Sequence, residues 1–333
     1  MGAHLRLPVR SGAMPGNNAP SAIEEAQARR LRGDSFNVTT LADRIVPYAA
    51  AFQRDGFVMV PDLLEARELE RYGLAVDEAV ARRKRFDHRQ LGEKSPYEQS
   101  FIQCINLWED TPAVRPLTFH PVVCETGARL LGVRKLRLWH DQALYKEAGG
   151  RLTDPHQDQP YWPMVETDTI TAWIPFDGSS HATGCMGYVP GSHAVGLRVF
   201  VNIFKPEDAL EIMKMPEIRD TPPVWVEVPR GGVAFHHGLT VHMAKPNSGS
   251  QTRRVHTMIF FRDGSTRKND FPHDSVERYD VKIGASIDSP VTPIAWPRAT
   301  GDLPEPPDAP ISGIFAKAIE LGTFPDKAGR AGR

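Results

Sequence analysis

The chain has few cysteines, and their number and spacing argue against two common kinds of structural site. Cys104, Cys124 and Cys185 are an odd number of cysteines, and no two of them form a CxxC pair. This pattern disfavours both a disulfide framework and a zinc knuckle. We therefore expect a protein of a reducing compartment and predict a cytoplasmic location.

An excess of charge of one sign is also missing, since 40 Lys and Arg residues stand against 41 Asp and Glu residues. Without a strong field of either sign, neither nucleic acid nor an anionic membrane surface is an expected partner. No run of residues is apolar enough to span a bilayer, and the first residues lack the apolar core of a signal peptide. The composition favours a small molecule as the binding partner.

The sequence does contain enough apolar material for a sizeable core, because 41% of its 333 residues are hydrophobic. Residues 1–35 begin with a stretch rich in Gly, Pro, Asn and Ala and are expected to be disordered. Residues 36–333 are predicted to form a single domain, with a helical part over about 40–132, a β-rich core over about 133–265 and an extended tail over about 266–333. A short helix over residues 314–321 is expected within this tail.

The hydrophobic pattern changes its period along this domain. Steps of three and four residues predict helices over 40–55 and 63–85, with a short strand over 57–60 between them. Further on, β-like runs alternate with Gly, Pro, Asn and Asp. These runs cover residues 136–145, 170–176, 187–189, 224–228, 233–236, 241–244 and 255–261. So many short runs predict a sandwich or a barrel.

One short segment, Pro155-His156-Gln157-Asp158, carries the most chemical information. In an extended strand alternate side chains share a face, so His156 and Asp158 can aim at one point while Gln157 faces the other way. Taken alone, H-x-D is weak evidence, because a surface turn with a solvated Asp has the same letters. His242, which follows the apolar run "GLTV", strengthens the signal.

Two histidines and one carboxylate are the facial triad of non-haem iron oxygenases, which leaves coordination positions open for other ligands. A zinc site built from the same residues, with one water as the fourth ligand, is the competing chemistry. The residue types alone do not separate iron from zinc.

Arg253 and Arg254 open the strand that follows His242. A guanidinium there can grip the far carboxylate of a metal-chelating diacid through a forked pair of hydrogen bonds, which points to 2-oxoglutarate. The alternative is an exposed pair that serves solubility. Strand alternation allows only one of the two side chains to face inward, and the pattern leaves open which one.

Several stretches in a fixed order, within a region from about Phe52 to Phe261, resemble the phytanoyl-CoA dioxygenase family of Fe(II)- and 2-oxoglutarate-dependent oxygenases. They are "AFQRDGFVMVPDLL", "LRLWHDQALYKEAGG", "PHQDQPYWP", "TAWIPFD", "GCMGYVPGSH" and "GLTVHMAKPNSGSQTRR". Together they are more specific than any one motif. The resemblance implies a mainly β fold with flanking helices, built around a double-stranded β-helix, the jelly-roll or cupin-like core.

The resemblance also implies the cofactors and the residues that bind them. The Fe(II) ligands would be His156, Asp158 and His242. The residues that contact the cosubstrate 2-oxoglutarate would be Arg253, Gln142 and Trp173. With O2 as the second cosubstrate, the implied reaction oxidises, most simply hydroxylates, an unactivated C–H bond of a small organic molecule and releases succinate and CO2.

Three residues near these motifs, His140, Tyr161 and Trp162, are candidates for the substrate pocket, with core packing as the alternative. His236 shares a strand face with Ala234, so we expect it to reach the other end of the barrel, with a structural role or as support for a metal ligand.

The long segment 195–223 is expected to form a partly helical lid over the iron, because long loops in compact domains are often lids. Its Phe200 and Phe204 are further candidates for the substrate pocket. A homodimer contact is the alternative role of this segment.

Family members act on fatty acyl thioesters, amino acids and many natural products, so the resemblance does not specify the substrate. It also does not separate hydroxylation from desaturation, epimerisation or ring closure, since these reactions share one oxidant. Two other functions stay open at this point. One is a jelly-roll protein that binds a metal or a small ligand without redox turnover, and the other is a zinc-dependent hydrolase.

Overall fold

Two antiparallel β-sheets, with helices outside the larger one, make up the part of the chain that the structure describes. The structure is a computed structural model, and it describes residues 40–198, 210–298 and 302–310. The helices in these ranges are α1 (Leu41–Asp55), α2 (Ala66–Lys84), α3 (Leu107–Asp110), α4 (Arg115–Thr118), α5 (Pro121–Leu131) and α6 (Asp274–Glu277). Short 3-10 helices cover Leu91–Glu93, Gln159–Tyr161, Ser192–Val195 and Leu210–Lys214.

The strands divide between a major and a minor sheet. They are β1 (Phe57–Val60), β2 (Ile102–Ile105), β3 (Leu136–Tyr145), β4 (Thr153–His156), β5 (Thr169–Pro175), β6 (Met186–Tyr188), β7 (Val224–Val226), β8 (Val233–His237), β9 (His242–Ala244), β10 (Val255–Arg262) and β11 (Ile294–Trp296). The major sheet has the order β1-β8-β5-β10-β3-β11, with β2 also paired to β3. The minor sheet has the order β4-β9-β6-β7.

The outer face of the major sheet is covered by α1, α2 and α5. Phe52 of α1, Val76 of α2 and Leu130 of α5 are almost fully buried, and they share one apolar cluster with Ile170 of β5 and Phe260 of β10. Burial of an apolar side chain of this size contributes roughly 1.5–3 kcal/mol. The helices therefore stabilise the sheet from behind, away from its other face.

Strand β10 shows how one strand serves both faces of the major sheet. Its Met258 and Phe260 belong to the helix-covered core, whereas Thr257 and Ile259 line a cavity on the opposite face. This alternation follows from the strand geometry, in which successive side chains point to opposite faces. The same cavity is lined by His156 and His242 of the minor sheet, so it lies between the two sheets.

The predicted helices and strands occur in the structure with bounds shifted by at most a few residues. Helix α1 ends at Asp55, and the next residue, Gly56, has a φ of 81°. A Cβ at this glycine would lie 2.5 Å from side-chain atoms of Thr240 and His193. Both the turn and the close approach therefore require glycine.

Three strands, β2, β4 and β11, were missing from the sequence prediction. Strand β4 has the sequence TDPH, which contains no apolar residue, so it lacks the hydrophobic pattern of a strand. The predicted disorder of 1–35 and the helix over 314–321 lie outside the described residues. Within the described ranges, no helix combines the length and the hydropathy needed to cross a membrane.

Candidate active site

Three candidate metal ligands converge in the cavity between the sheets. His156 ends β4 and lies opposite His242, the first residue of β9, in the pairing of these two strands. The Nε2 atoms of His156 and His242 lie 3.6 and 3.7 Å from Oδ1 of Asp158. The three residues can each offer one ligand atom, and these atoms all lie within 4.8 Å of one another. A single metal ion can therefore be reached by all three.

Backbone carbonyls orient both imidazole rings for this task. Nδ1 of His156 lies 2.8 Å from the carbonyl oxygen of Asp154, and Nδ1 of His242 lies 3.0 Å from that of Thr240. A carbonyl oxygen only accepts hydrogen bonds, so Nδ1 carries the hydrogen and the lone pair remains on Nε2. This arrangement is typical of metal-binding histidines.

Burial and neighbouring charges give the three side chains the protonation states that a metal requires. Burial lowers the pKa of both His156 and His242 to about 4, so both rings are neutral at pH 7. Burial alone would raise the pKa of Asp158, but His242, His236 and His156 together outweigh it and lower this pKa below its ordinary value. Neutral imidazoles and an ionised carboxylate are the metal-binding forms.

The local backbone differs from the one expected for an H-x-D strand. Strand β4 ends at His156, and Asp158 has helical dihedral angles at the start of the 3-10 helix Gln159–Tyr161. Asp158 therefore converges on His156 because the chain turns, and the prediction of simple strand alternation was wrong at this point. Gln157 does point away, and its amide donates to the carbonyl oxygens of Gly196 and Leu239.

His236 also lies at this site, on β8 of the major sheet. Its Nε2 is 3.3 Å from Oδ2 of Asp158. The expectation that His236 reaches the other end of the barrel was therefore wrong. The prediction that His236 shares a strand face with Ala234 was correct. The register that brings the end of β8 next to Asp158 depends on pairing between strands far apart in sequence, so it could not be derived from the sequence.

The cavity has an empty volume of about 870 Å³, which includes its open mouth. The predicted cosubstrate residues Arg253, Gln142 and Trp173 all line it, as do the predicted substrate residues His140, Tyr161 and Trp162. Phe200 and Phe204, and residues 199–209 of the predicted lid with them, lie outside the described residues. Additional lining residues that the sequence reasoning missed are Tyr97, Phe101, Gln103, Thr171, Thr257 and Ile259.

Arg253 is a buried cation without an anionic partner among the residues that the structure describes. Its exposed fraction is 5%, and its guanidinium lies over the ring of Trp173 at 5.1 Å and donates to the carbonyl oxygen of Gly184. Burial lowers its pKa to about 10, so it is still charged at pH 7. An uncompensated buried charge is costly, and it favours an anionic ligand.

Arg254 faces the other way. It forms ion pairs with Asp77 at 2.5 Å and with Asp177 at 2.7 Å, and it does not line the cavity. The structure therefore places Arg253, and not Arg254, on the inward face, the choice that alternation had left open.

Further polar groups near Arg253 were missed by the sequence reasoning. Within the described ranges, the hydroxyl groups of Tyr188 and Thr257 are buried and have no hydrogen-bond partner. Tyr188 shares an apolar cluster with Trp173, the ring over which the guanidinium of Arg253 lies. Thr257 could have been found by counting alternate positions from Arg253, whereas Tyr188 lies on another sheet and had no such signal.

A model of the phytanoyl-CoA dioxygenase family (PhyH) matches residues 52–255, which is more than half of the chain. The chain belongs to the phytanoyl-CoA dioxygenase family. It is similar to the phytanoyl-CoA dioxygenase domain-containing protein 1 homolog of Dictyostelium discoideum, with 28% identity over 119 residues. The matched region is 34% of this chain and 42% of that protein, so the chain spans less than half of the length of this relative.

Two solved structures are similar to this chain over about three quarters of its length. The non-heme alpha ketoglutarate dependent carbocyclase SnoK from nogalamycin biosynthesis has 26% identity and a TM-score of 0.62, over 74% of this chain and 94% of its own. The epimerase SnoN, in complex with Fe3+, alpha ketoglutarate and nogalamycin RO, has 26% identity and a TM-score of 0.61, over 75% and 98%. The predicted family and the predicted jelly-roll fold are confirmed.

Proposed function

We propose that this phytanoyl-CoA dioxygenase family member is an Fe(II)- and 2-oxoglutarate-dependent dioxygenase. One observation carries the proposal: a single cavity contains both the converging set of His156, Asp158 and His242 and the uncompensated guanidinium of Arg253. Two histidines and a carboxylate suit Fe(II), and a buried guanidinium suits the far carboxylate of 2-oxoglutarate. The Fe3+ and alpha ketoglutarate present in the SnoN structure support both assignments.

Each group of residues has a separate task in this proposal. His156, Asp158 and His242 hold the iron, while Arg253, packed on Trp173, binds the far carboxylate of 2-oxoglutarate. Gln142 lies on the same cavity wall and is proposed as a further contact to the cosubstrate. When bound together, iron, 2-oxoglutarate and O2 supply the oxidising chemistry, in which 2-oxoglutarate becomes succinate and CO2 and one oxygen atom becomes available to the substrate.

The remaining wall of the cavity orders the substrate and excludes water. Tyr161 and Trp162 follow the metal-binding segment, and Trp162 also packs against the core residue Trp139 with ring centroids 6.3 Å apart. His140 lies on the same cavity, and burial lowers its pKa to about 4, so it offers a neutral ring. We propose that these residues contact a small organic molecule, in keeping with aromatic walls in other ligand sites.

The proposed outcome is hydroxylation of an unactivated C–H bond, with the balance RH + 2-oxoglutarate + O2 giving ROH + succinate + CO2. SnoK and SnoN are described as enzymes from nogalamycin biosynthesis, which supports a natural product as the substrate. The predicted cytoplasmic location, the lid over 195–223 and its alternative as a homodimer contact stay predictions, as does the single domain over 36–333.

The test is to supply the purified protein with Fe(II), ascorbate and 2-oxoglutarate and to measure succinate and O2 uptake. We expect both signals to exceed those of a metal-free control. If the protein is instead a zinc-dependent hydrolase, no succinate should form with any metal. If it is a binding protein without redox turnover, it should bind the metal without O2 uptake. Either result would overturn the proposal.

A further inference from the structure

The second carboxylate oxygen of Asp158 is held by two side chains of the major sheet. Oδ1 of this residue faces Nε2 of both candidate histidine ligands, at 3.6 and 3.7 Å. Oδ2 instead lies 3.3 Å from Nε2 of His236 and 3.2 Å from Oγ1 of Thr171, which donates to it. The two oxygens of one carboxylate therefore have different tasks.

Both donors are fixed by the sheet itself. Thr171 of β5 and His236 of β8 lie directly opposite each other in the register of these two strands. The backbone N–H of Asp158 donates to the carbonyl oxygen of Gly238, which follows β8, at 3.0 Å. Both the main chain and the side chain of Asp158 are thus attached to the end of β8, and a shift of this strand would move the carboxylate.

The hydrogen bond also defines the tautomer of His236. A carboxylate oxygen only accepts, so Nε2 of His236 carries the hydrogen. Its Nδ1 is buried and has no partner within the described part of the chain. The ring therefore makes a single directed polar contact in this buried setting, and that contact is to Asp158.

We propose that His236 is a positioning residue that, together with Thr171, binds Oδ2 of Asp158 and so presents Oδ1 to the metal. The inference rests on the proposed function, because it assigns a role toward a metal that the cavity is proposed to bind. Loss of the hydrogen bond from His236 leaves Thr171 as the one remaining side-chain donor to Oδ2 among the described residues and so weakens the restraint on rotation of the carboxylate. Groups that orient a metal ligand in this way typically change metal affinity by about 10- to 100-fold when they are removed.

The test measures Co(II) binding to the metal-free full chain by calorimetry and by visible absorption. His236→Phe keeps the ring volume and removes the donor, whereas His236→Gln retains a donor nitrogen at about the same reach. We expect His236→Phe to raise the Kd for Co(II) by about 10- to 100-fold and to change the visible spectrum. His236→Gln should restore most of the affinity and the spectrum of the unaltered protein.

Two further variants make the result specific. Thr171→Val removes the second donor at nearly constant volume and should weaken Co(II) binding less than His236→Phe does. His237→Phe is the matched control, since this neighbouring histidine faces Phe52 and His193 on the other side of the strand. Its Kd and spectrum should match those of the unaltered protein.

The outcomes separate this inference from the proposed function. Failure of the unaltered protein to bind Co(II) would overturn the metal site itself. Normal Co(II) binding by the unaltered protein, with the same Kd and spectrum in His236→Phe, would overturn the role of His236 alone. If His236→Phe does not fold, Thr171→Val decides, and an unchanged Kd and spectrum in that variant overturns the inference.

Discussion

Replacement of Arg253 by Ala is expected to raise the KM for 2-oxoglutarate far more than it changes the binding of the metal. The guanidinium lines the cavity, is only 5% exposed and has no carboxylate partner among the described residues, so its charge is available for a ligand. A hydrogen bond to a charged group contributes about 1.5–3 kcal/mol. A forked pair is therefore worth at least about 3 kcal/mol in this buried setting, and the KM should rise by a factor of about 10² or more.

Two variants provide the comparison for this experiment. Arg253→Lys keeps the charge but loses the planar fork, so its KM should lie between those of the unaltered protein and Arg253→Ala. Arg254→Ala removes the ion pairs with Asp77 and Asp177, which lie away from the cavity. It should leave the KM for 2-oxoglutarate nearly unchanged.

The assay is the initial rate of succinate formation as a function of 2-oxoglutarate concentration, at saturating Fe(II). The Kd for Co(II), measured in parallel on the metal-free variants, should stay constant across the series, which separates a cosubstrate defect from a metal defect. Equal KM values for Arg253→Ala and the unaltered protein, or an equal rise in Arg254→Ala, would refute the assignment of the inward guanidinium.

Three further predictions concern the rest of the cavity. Single Ala replacements of His156, Asp158 or His242 should abolish succinate formation and weaken Co(II) binding, because each removes a proposed metal ligand. The helical circular dichroism should change little. Retained activity in any of the three variants would contradict the ligand set. Thr257→Val removes a hydroxyl that lines the cavity and has no hydrogen-bond partner among the described residues. It should raise the KM for 2-oxoglutarate by a factor of about 5, equivalent to about 1 kcal/mol for one hydrogen bond, and an unchanged KM would show that this hydroxyl does not contact the cosubstrate. Burial lowers the pKa of His140 to about 4 from 6.5, so between these values the unfolded chain binds a proton more readily than the folded chain. The contribution of His140 to the free energy of unfolding of the metal-free protein is therefore constant above about pH 6.5 and falls on acidification, by on the order of 2 kcal/mol at about pH 5. Urea titrations at about pH 7 and about pH 5 should show a smaller fall in His140→Asn than in the unaltered protein, and an equal fall would contradict the shifted pKa.

Many of the helices and strands could be predicted because the local hydrophobic periodicity and the turn residues of the sequence indicate them. The steps of three and four residues in α1 and the Asp55-Gly56 stop gave bounds that agree with the structure, and the long strand β3 was predicted over its full length. Strands β2 and β4 escaped detection, β4 because its sequence, TDPH, contains no apolar residue and therefore no hydrophobic period. These two strands matter for function, because β4 carries His156 and β2 carries Gln103 on the cavity wall.

The candidate site was predictable as a set of residues but not as an arrangement. The H-x-D segment and the later histidine pointed to His156, Asp158 and His242, and the structure brings their ligand atoms together. The turn that aims Asp158, and the approach of His236 to its second oxygen, depend on contacts between strands that lie far apart in sequence. Such register is set by packing of whole sheets and has no local signature.

The central claim is that one cavity binds the metal and 2-oxoglutarate side by side. The most direct test adds 2-oxoglutarate without oxygen to the Fe(II)-loaded protein and records the visible spectrum, in which chelation of Fe(II) by the keto acid produces a charge-transfer band. We predict a saturable band in the unaltered protein, a band that needs much more 2-oxoglutarate in Arg253→Ala, and no band in Asp158→Ala. An Fe(II)-loaded unaltered protein that gives no 2-oxoglutarate-dependent band would contradict the account.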